Sequence, residues 1–365
     1  MGTVVTYGHY GEPQSHERAT LSALAQAIAA LRGDEFAGEY VPSARYATPL
    51  YFVPGETVVG LERARAVGMR SADDLYGGVV PYAFLANKTI AHPLVAPEAL
   101  APQGWSGAFA TRVREVVLPG YAAFTLEDAY RAARALLAEG PVRIKPGDGI
   151  GGRDQLVVRD LAALEGALDR VDPARLARNG LVIESELAGA TTYSVGQVAV
   201  NGMAATYCGT QKLTPDNGGQ PAYGGSDLLI ARGGWAALDA LELAPELRLA
   251  IRQARAFDTA CRQLPGVFAS RRNYDTLLGH DAEGQVRAGV LEQSWRIGGA
   301  SGPEIAALAA FHGQPGLRAV HARSAEIYGE CAVPPPHAIV HYRGVDARAG
   351  ALTKYTVIER YEPAR

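Results

Sequence analysis

Cysteine, tryptophan and methionine are scarce, with three of each in 365 residues. Cys208, Cys261 and Cys331 stand far apart and make no Cys-x-x-Cys spacing. That excludes a readable disulfide framework or zinc knuckle and leads us to expect a reducing, cytoplasmic compartment. No apolar run approaches the roughly 20 residues of a membrane span, and the N-terminus lacks the pattern of a signal peptide. Basic tracts are missing too, and net charge is −3, so neither nucleic acid nor membrane is an expected partner. Also lacking is any legible Ser-His-Asp or Cys-His arrangement, which argues against a covalent side-chain nucleophile.

What the chain does have is glycine, 42 residues of it, bunched rather than spread. Such clusters mark backbone that adopts φ > 0 or approaches a ligand closely. Apolar content of 48% and charged content of 20% are those of a globular protein with two or three domains.

Taken in order, residues 3–8 read as a buried strand. Ser15 reads as the N-cap of a helix that Gly33 stops. A second strand near residues 50–53 and a short helix at 60–66 complete a small α/β unit. Thr125 caps another helix. Strands follow at 181–187 and 191–200, and Asn201-Gly202 is a hairpin turn into a strand ending at Lys212. The run TPDNGGQPAYGGSD then reads as loop, and 245–264 as a long amphipathic helix. Residues 267–278 and 286–294 read as a strand pair, and 303–313 and 316–328 as two closing helices. The tail, 337–362, reads as strands that either complete a sheet or build the contact of a homodimer.

Three stretches carry chemistry. In PVRIKPGDGIGGRDQLVV, residues 141–158, Arg143 and Lys145 share one strand face. The glycines that follow match GxGxxG, but β-like sequence comes next where a dinucleotide fingerprint needs a helix. Strand, glycine loop and strand make a hairpin instead, either a plain mobile one or a lid whose amides reach phosphates. In LVIESEL, Val182, Glu184 and Glu186 share a face. In GVLEQSWRIGGAS, residues 289–301, alternation puts Val290, Glu292, Ser294 and Arg296 in one row. That row is either a solvated strand edge or a set of oxygen ligands and a guanidinium for magnesium and phosphate. Mirror counting about the HDAEG turn sets Asp275 roughly opposite residue 290 and within reach of Glu292. Two carboxylates on paired strands repel unless a cation lies between them.

This order of elements resembles the ATP-grasp superfamily, and within it a bacterial branch without an assigned reaction. The resemblance runs from about Lys88 to about Ala310, and EQSWRIGG, residues 292–299, is similar to the superfamily's EINPRIGG-type segment. It implies mixed α/β and α+β architecture: a pre-ATP-grasp α/β domain at 1–87, then two α+β lobes clasping ATP. The small lobe with its glycine lid would span 88–187, the lobe with the metal site 188–332, and a β-rich extension 333–365. By the same resemblance Lys88, Lys145 and Lys212 would contact phosphates, under a lid made by Gly147, Gly149, Gly151 and Gly152. Glu184, Ser185, Glu186 and Leu187 would be the hinge strand holding adenine, with Thr191 near the ribose. Asp275, Glu292 and Ser294 would bind Mg2+, or Mn2+ in its place. Arg296 would face the acceptor or the transferred phosphoryl group, with Lys212 beside it in catalysis.

The chain departs from the family pattern in three places. Ser294 stands where asparagine is usual, and Ala190, Thr191 and Thr192 stand where the ribose position is often acidic. The family's arginine near the first metal carboxylate is matched only loosely, by Arg271 or Arg272. The resemblance implies an ATP-dependent ligase that activates a small carboxylate as an acyl phosphate for an amine or thiol. A small-molecule kinase and a non-catalytic ATP-binding regulator are the other two readings. His9, Tyr10, Arg45 and Tyr46 are the candidates for acceptor recognition.

Overall fold

A computed structural model describes residues 1–8, 12, 15–149, 154–330 and 332–361. The first strand, Thr3–Tyr7, is the centre of a three-stranded parallel sheet between Glu35–Glu39 and Leu50–Pro54. Helix His16–Arg32 covers it with Leu21, Leu24, Ala25, Ile28 and Leu31, the apolar stripe of an amphipathic helix. Ser15 caps it by accepting from Arg18 N at 3.2 Å, and Gly33 closes it at φ 69°. The strand Glu35–Glu39 was not expected, because EFAGE carries too little apolar residue to signal one.

A second sheet of four strands has the order Gly120–Ala123, Leu181–Ser185, Val142–Pro146, Leu156–Val158. Val142 and Ile144 face its core, so Arg143 and Lys145 are left on the other face, as alternation requires. The last two strands are antiparallel neighbours, so the glycine stretch does join a hairpin and not a strand to a helix.

The largest sheet has eight strands. Its order is Val286–Ser294, Arg271–His280, Ala188–Val200, Met203–Pro215, Pro221–Arg232, Ala319–Tyr328, Gly350–Arg360, Ile339–Asp346. Two expectations fail here. TPDNGGQPAYGGSD is no loop: strand pairing continues to Pro215↔Pro221 around a tight turn. The Asp216 carboxylate closes that turn by accepting from Gly218 N and Gln220 N, and Gly219 supplies φ 78°. Residues 316–328 are no helix either. Ala319–Tyr328 is an interior strand, since its small and β-branched residues fit a pleated surface flanked on both sides. The tail continues the same sheet across residue 332.

Asp346, at the tip of the terminal hairpin, accepts from Arg348 N, Ala349 N and His16 N, each at 2.8 Å. Burial works against its charge, but these amides outweigh it and hold the carboxyl down at about 2. It thereby serves as a second cap on the first helix from 330 residues away. Asp346→Ala is expected to cost about 1 kcal/mol in urea unfolding, the usual worth of an N-cap side chain. A loss within error would show that the hairpin does not brace the helix.

Candidate active site

Asp275 and Glu292 are directly opposed on neighbouring strands, and the next aligned pair is Thr276 with Val290. Leu291 is therefore an extra residue, a β-bulge. It corrects two expectations. Mirror counting had residue 290 opposite Asp275, whereas the bulge brings Glu292 there. It also resets the alternation, so Val290 leaves the row of Glu292 and packs with Tyr274 and Trp295 in the core.

Three donors converge on a single oxygen of Asp275. Gln211 Nε2 donates to Oδ1 at 2.8 Å, Asn273 Nδ2 at 2.9 Å and Ser194 Oγ at 3.3 Å. No described residue donates to Oδ2. Burial and the facing Glu292 carboxylate push the Asp275 carboxyl up to about 6, against those donors. Glu292 has its own cation: the buried Lys88 ammonium lies 2.7 Å from Oε2 and donates to the Gly149 carbonyl at 2.6 Å. Gln293, on the opposite strand face, donates to the carbonyls of Leu85 and Asn87 at 2.9 and 2.8 Å. That fixes the short Lys88–Ala91 helical turn against the Glu292 strand.

A second buried pair lies on the four-stranded sheet. Lys145 is bound to Glu184, and His92 Nε2 lies 3.4 Å from the other Glu184 oxygen. Burial alone would raise the Glu184 carboxyl, but Lys145 and then His92 outweigh it and hold it down at about 2. With its folded value below the ordinary 4.5, Glu184 adds stability above that pH and loses it as pH falls toward 2. Urea midpoints measured from about pH 5 down to 2.5 should fall more steeply in the wild type than in Glu184→Gln. Parallel slopes would sink the assignment. Alongside, Arg143 grips Glu186 with two hydrogen bonds of 2.6 Å.

Not every expected residue comes together. Lys212 is exposed and turned toward Asp227, 3.8 Å away, on the sheet face opposite its neighbour Gln211. The residue of this strand that reaches Asp275 is Gln211. Thr191 is exposed at the start of its strand. Ser185 is half-buried and Leu187 buried next to the Glu184 pair. Gly147 sits against Asn179 so closely that a Cβ would overlap its carbonyl, and Asp148 is held by Arg175 and Asn179. Gly151 and Gly152 lie outside the described residues, as do His9 and Tyr10. Arg45 is exposed, and Tyr46 stacks on Tyr40. Ser294 lies beside Glu292 and across from Asn273. The Arg296 guanidinium donates to the Ile297 carbonyl at 2.6 Å, and its own carbonyl accepts from Arg271.

Ser194, Gln211, Asn273 and His92 were missed. The first three sit among other polar residues of their strands, so nothing local set them apart.

Among the described residues no three His, Cys, Asp or Glu side chains gather in one place. That still suits Mg2+, which takes one or two carboxylates and fills its other positions with phosphate oxygens and water. The bare Oδ2 of Asp275, the adjacent Glu292 and the neutral Ser294 oxygen fit that donor set. No helix among the described residues is long and apolar enough to cross a membrane.

A family model described as "Protein of unknown function (DUF3182)" matches residues 4–356. No curated protein matches the sequence. Solved structures do match the fold. N5-carboxyaminoimidazole synthetase from Staphylococcus aureus, complexed with ADP, has a TM-score of 0.57 at 10% identity, covering 99% of this chain and 94% of its own. The biotin carboxylase domain of Hydrogenobacter thermophilus 2-oxoglutarate carboxylase, solved with MgADP, ADP and bicarbonate, gives 0.55 at 15%, with 99% and 87% covered. Phosphoribosylamine–glycine ligase from Thermotoga maritima gives 0.51 at 15%, with 99% and 93% covered. These are ATP-grasp structures, and the likeness extends over nearly the whole chain. The fold is ATP-grasp.

Proposed function

The chain belongs to the DUF3182 family and has the ATP-grasp fold, and from that premise we propose that it is an ATP- and Mg2+-dependent ligase. A small carboxylate attacks the γ-phosphorus of ATP, expelling ADP and forming an acyl phosphate. An amine or thiol then attacks the acyl carbon and expels phosphate. The observation that carries this reading is the opposed Asp275–Glu292 pair, with every side-chain donor to Asp275 among the described residues gathered on Oδ1.

Phosphoryl transfer asks the protein for positioning and charge neutralisation. Asp275 and Glu292, with the Ser294 oxygen, hold Mg2+, which supplies charge neutralisation at the phosphates. Lys88 stands next to that pair and Lys145 on the neighbouring sheet, both as ammonium donors for phosphate oxygens. The strand end from Glu184 to Leu187 holds adenine. Arg296 faces the acceptor. Lys212, on the far side of the sheet, has no part.

The test is Mg2+-dependent ADP release over a panel of small carboxylates, with and without amines and thiols. Hydroxylamine should trap the acyl phosphate as a hydroxamate. A stable phosphorylated product and no hydroxamate would establish a kinase instead. Tight ATP binding with no ADP release on any carboxylate would make the protein a nucleotide-binding regulator.

A further inference from the structure

Behind the clamp runs a buried polar chain that the proposed reaction leaves unused. Glu304, in the first turn of helix Ser301–Gly313, is fully buried, as are Arg271, Tyr76 and Tyr207 around it. Arg271 Nε lies 2.9 and 3.1 Å from the two Glu304 oxygens, and the Tyr76 hydroxyl donates to Oε2. The Tyr207 hydroxyl lies 2.5 Å from Glu304 Oε1 and 2.9 Å from Asn273 Oδ1. Its one proton serves one of them at a time. Asn273 in turn donates to Asp275 Oδ1. On the other side, Arg271 Nη1 donates to the backbone carbonyls of Ser294 and Arg296.

We propose that Tyr207 is a positioning residue for the cation clamp. With its proton on Asn273 Oδ1 it aims Asp275 through Asn273, while Arg271, paired with Glu304, fixes the strand end at Ser294 and Arg296. The proposal rests on the metal reading above. A carboxylate only accepts hydrogen bonds, so Asn273 must present its amide nitrogen to Asp275. That leaves Asn273 Oδ1 facing the other way, where Tyr207 backs it. Remove the hydroxyl and the amide is free to turn, setting its carbonyl against Asp275 Oδ1. The hydroxyl itself is placed by close packing: a Cβ on Gly196 would overlap it.

Partners that orient metal ligands commonly change affinity by about 10–100-fold when removed. The experiment is therefore Mn2+ binding to the full-length protein, with and without ADP, by electron paramagnetic resonance of free Mn2+. Tyr207→Phe should bind Mn2+ at least about 10-fold more weakly at a temperature where the variant is fully folded. Tyr274→Phe deletes a buried hydroxyl that donates to Asp258 from the opposite face of the same sheet, and it should bind like the wild type. Asn273→Ser should weaken binding as Tyr207→Phe does, and the double variant should be no worse than the weaker single one. If Tyr207→Phe does not fold, Asn273→Ser carries the test. Wild-type affinity in both, or losses that add, would overturn the proposal while leaving the metal site standing. A wild-type protein that binds no Mn2+ would bring down the metal reading and this proposal with it.

Discussion

Replacing Asp275 with asparagine is expected to cut Mg2+-dependent ADP release by about 10³-fold and to leave the melting temperature unchanged or raised. The activity falls because Mg2+ is held through one or two carboxylates, and a neutral amide in place of one of the pair removes half of the site's negative charge. Stability holds because the substitution removes a carboxylate that burial and Glu292 have pushed up to about 6. The same loss of activity is expected for Glu292→Gln, but there the protein should also become less stable. Lys88 is only 4% exposed and would lose its carboxylate partner, leaving a buried ammonium uncompensated. Paired assays of ADP release and thermal melting separate the two. Unchanged ADP release in both variants would sink the metal assignment. A matched drop in melting temperature would sink the account of mutual repulsion.

The largest loss of stability is expected from Glu304→Gln, at about 3–5 kcal/mol in urea unfolding. The change leaves the Arg271 guanidinium, 1% exposed, without its countercharge inside the protein. Desolvation of an unpaired charge is what makes breaking one side of a buried pair so costly. Replacing both members, as Arg271→Met with Glu304→Leu, should cost much less, because no unpaired charge then remains. The Tyr76 and Tyr207 hydroxyls would still lose an acceptor, so some loss should persist. A single variant that costs under about 1 kcal/mol would show that the pair is solvated or only loosely formed.

How far the site could be read before folding depended on whether its signal was local. The Asn201-Gly202 turn, the Ser15 cap and the period-two alternation of Arg143 and Lys145 each follow from a few adjacent residues, and the structure has all of them. The succession of lysine, glycine hairpin, acidic strand and carboxylate hairpin was legible because it is an order, and order survives without distances. Faces were less secure. One unpaired residue, Leu291, reverses every side chain on one side of it relative to the other, and no composition marks a bulge. Gln211 and Lys212 are a similar case: adjacent in sequence, they point to opposite faces, and only Gln211 is on the face of Asp275.

The ATP-grasp order, and with it Asp275 and Glu292 as a candidate pair in GVLEQSWRIGGAS and its partner strand, was determined by the sequence alone. Tertiary structure alone decided that three donors gather on one oxygen of Asp275, that Lys88 supplies the cation beside Glu292, and that Glu304 stands behind both strands. The contacts of Glu304 alone join residues separated by 33 to 228 positions. Nothing local selects them. They form because burial leaves a polar group no partner but the one that folding brings to it.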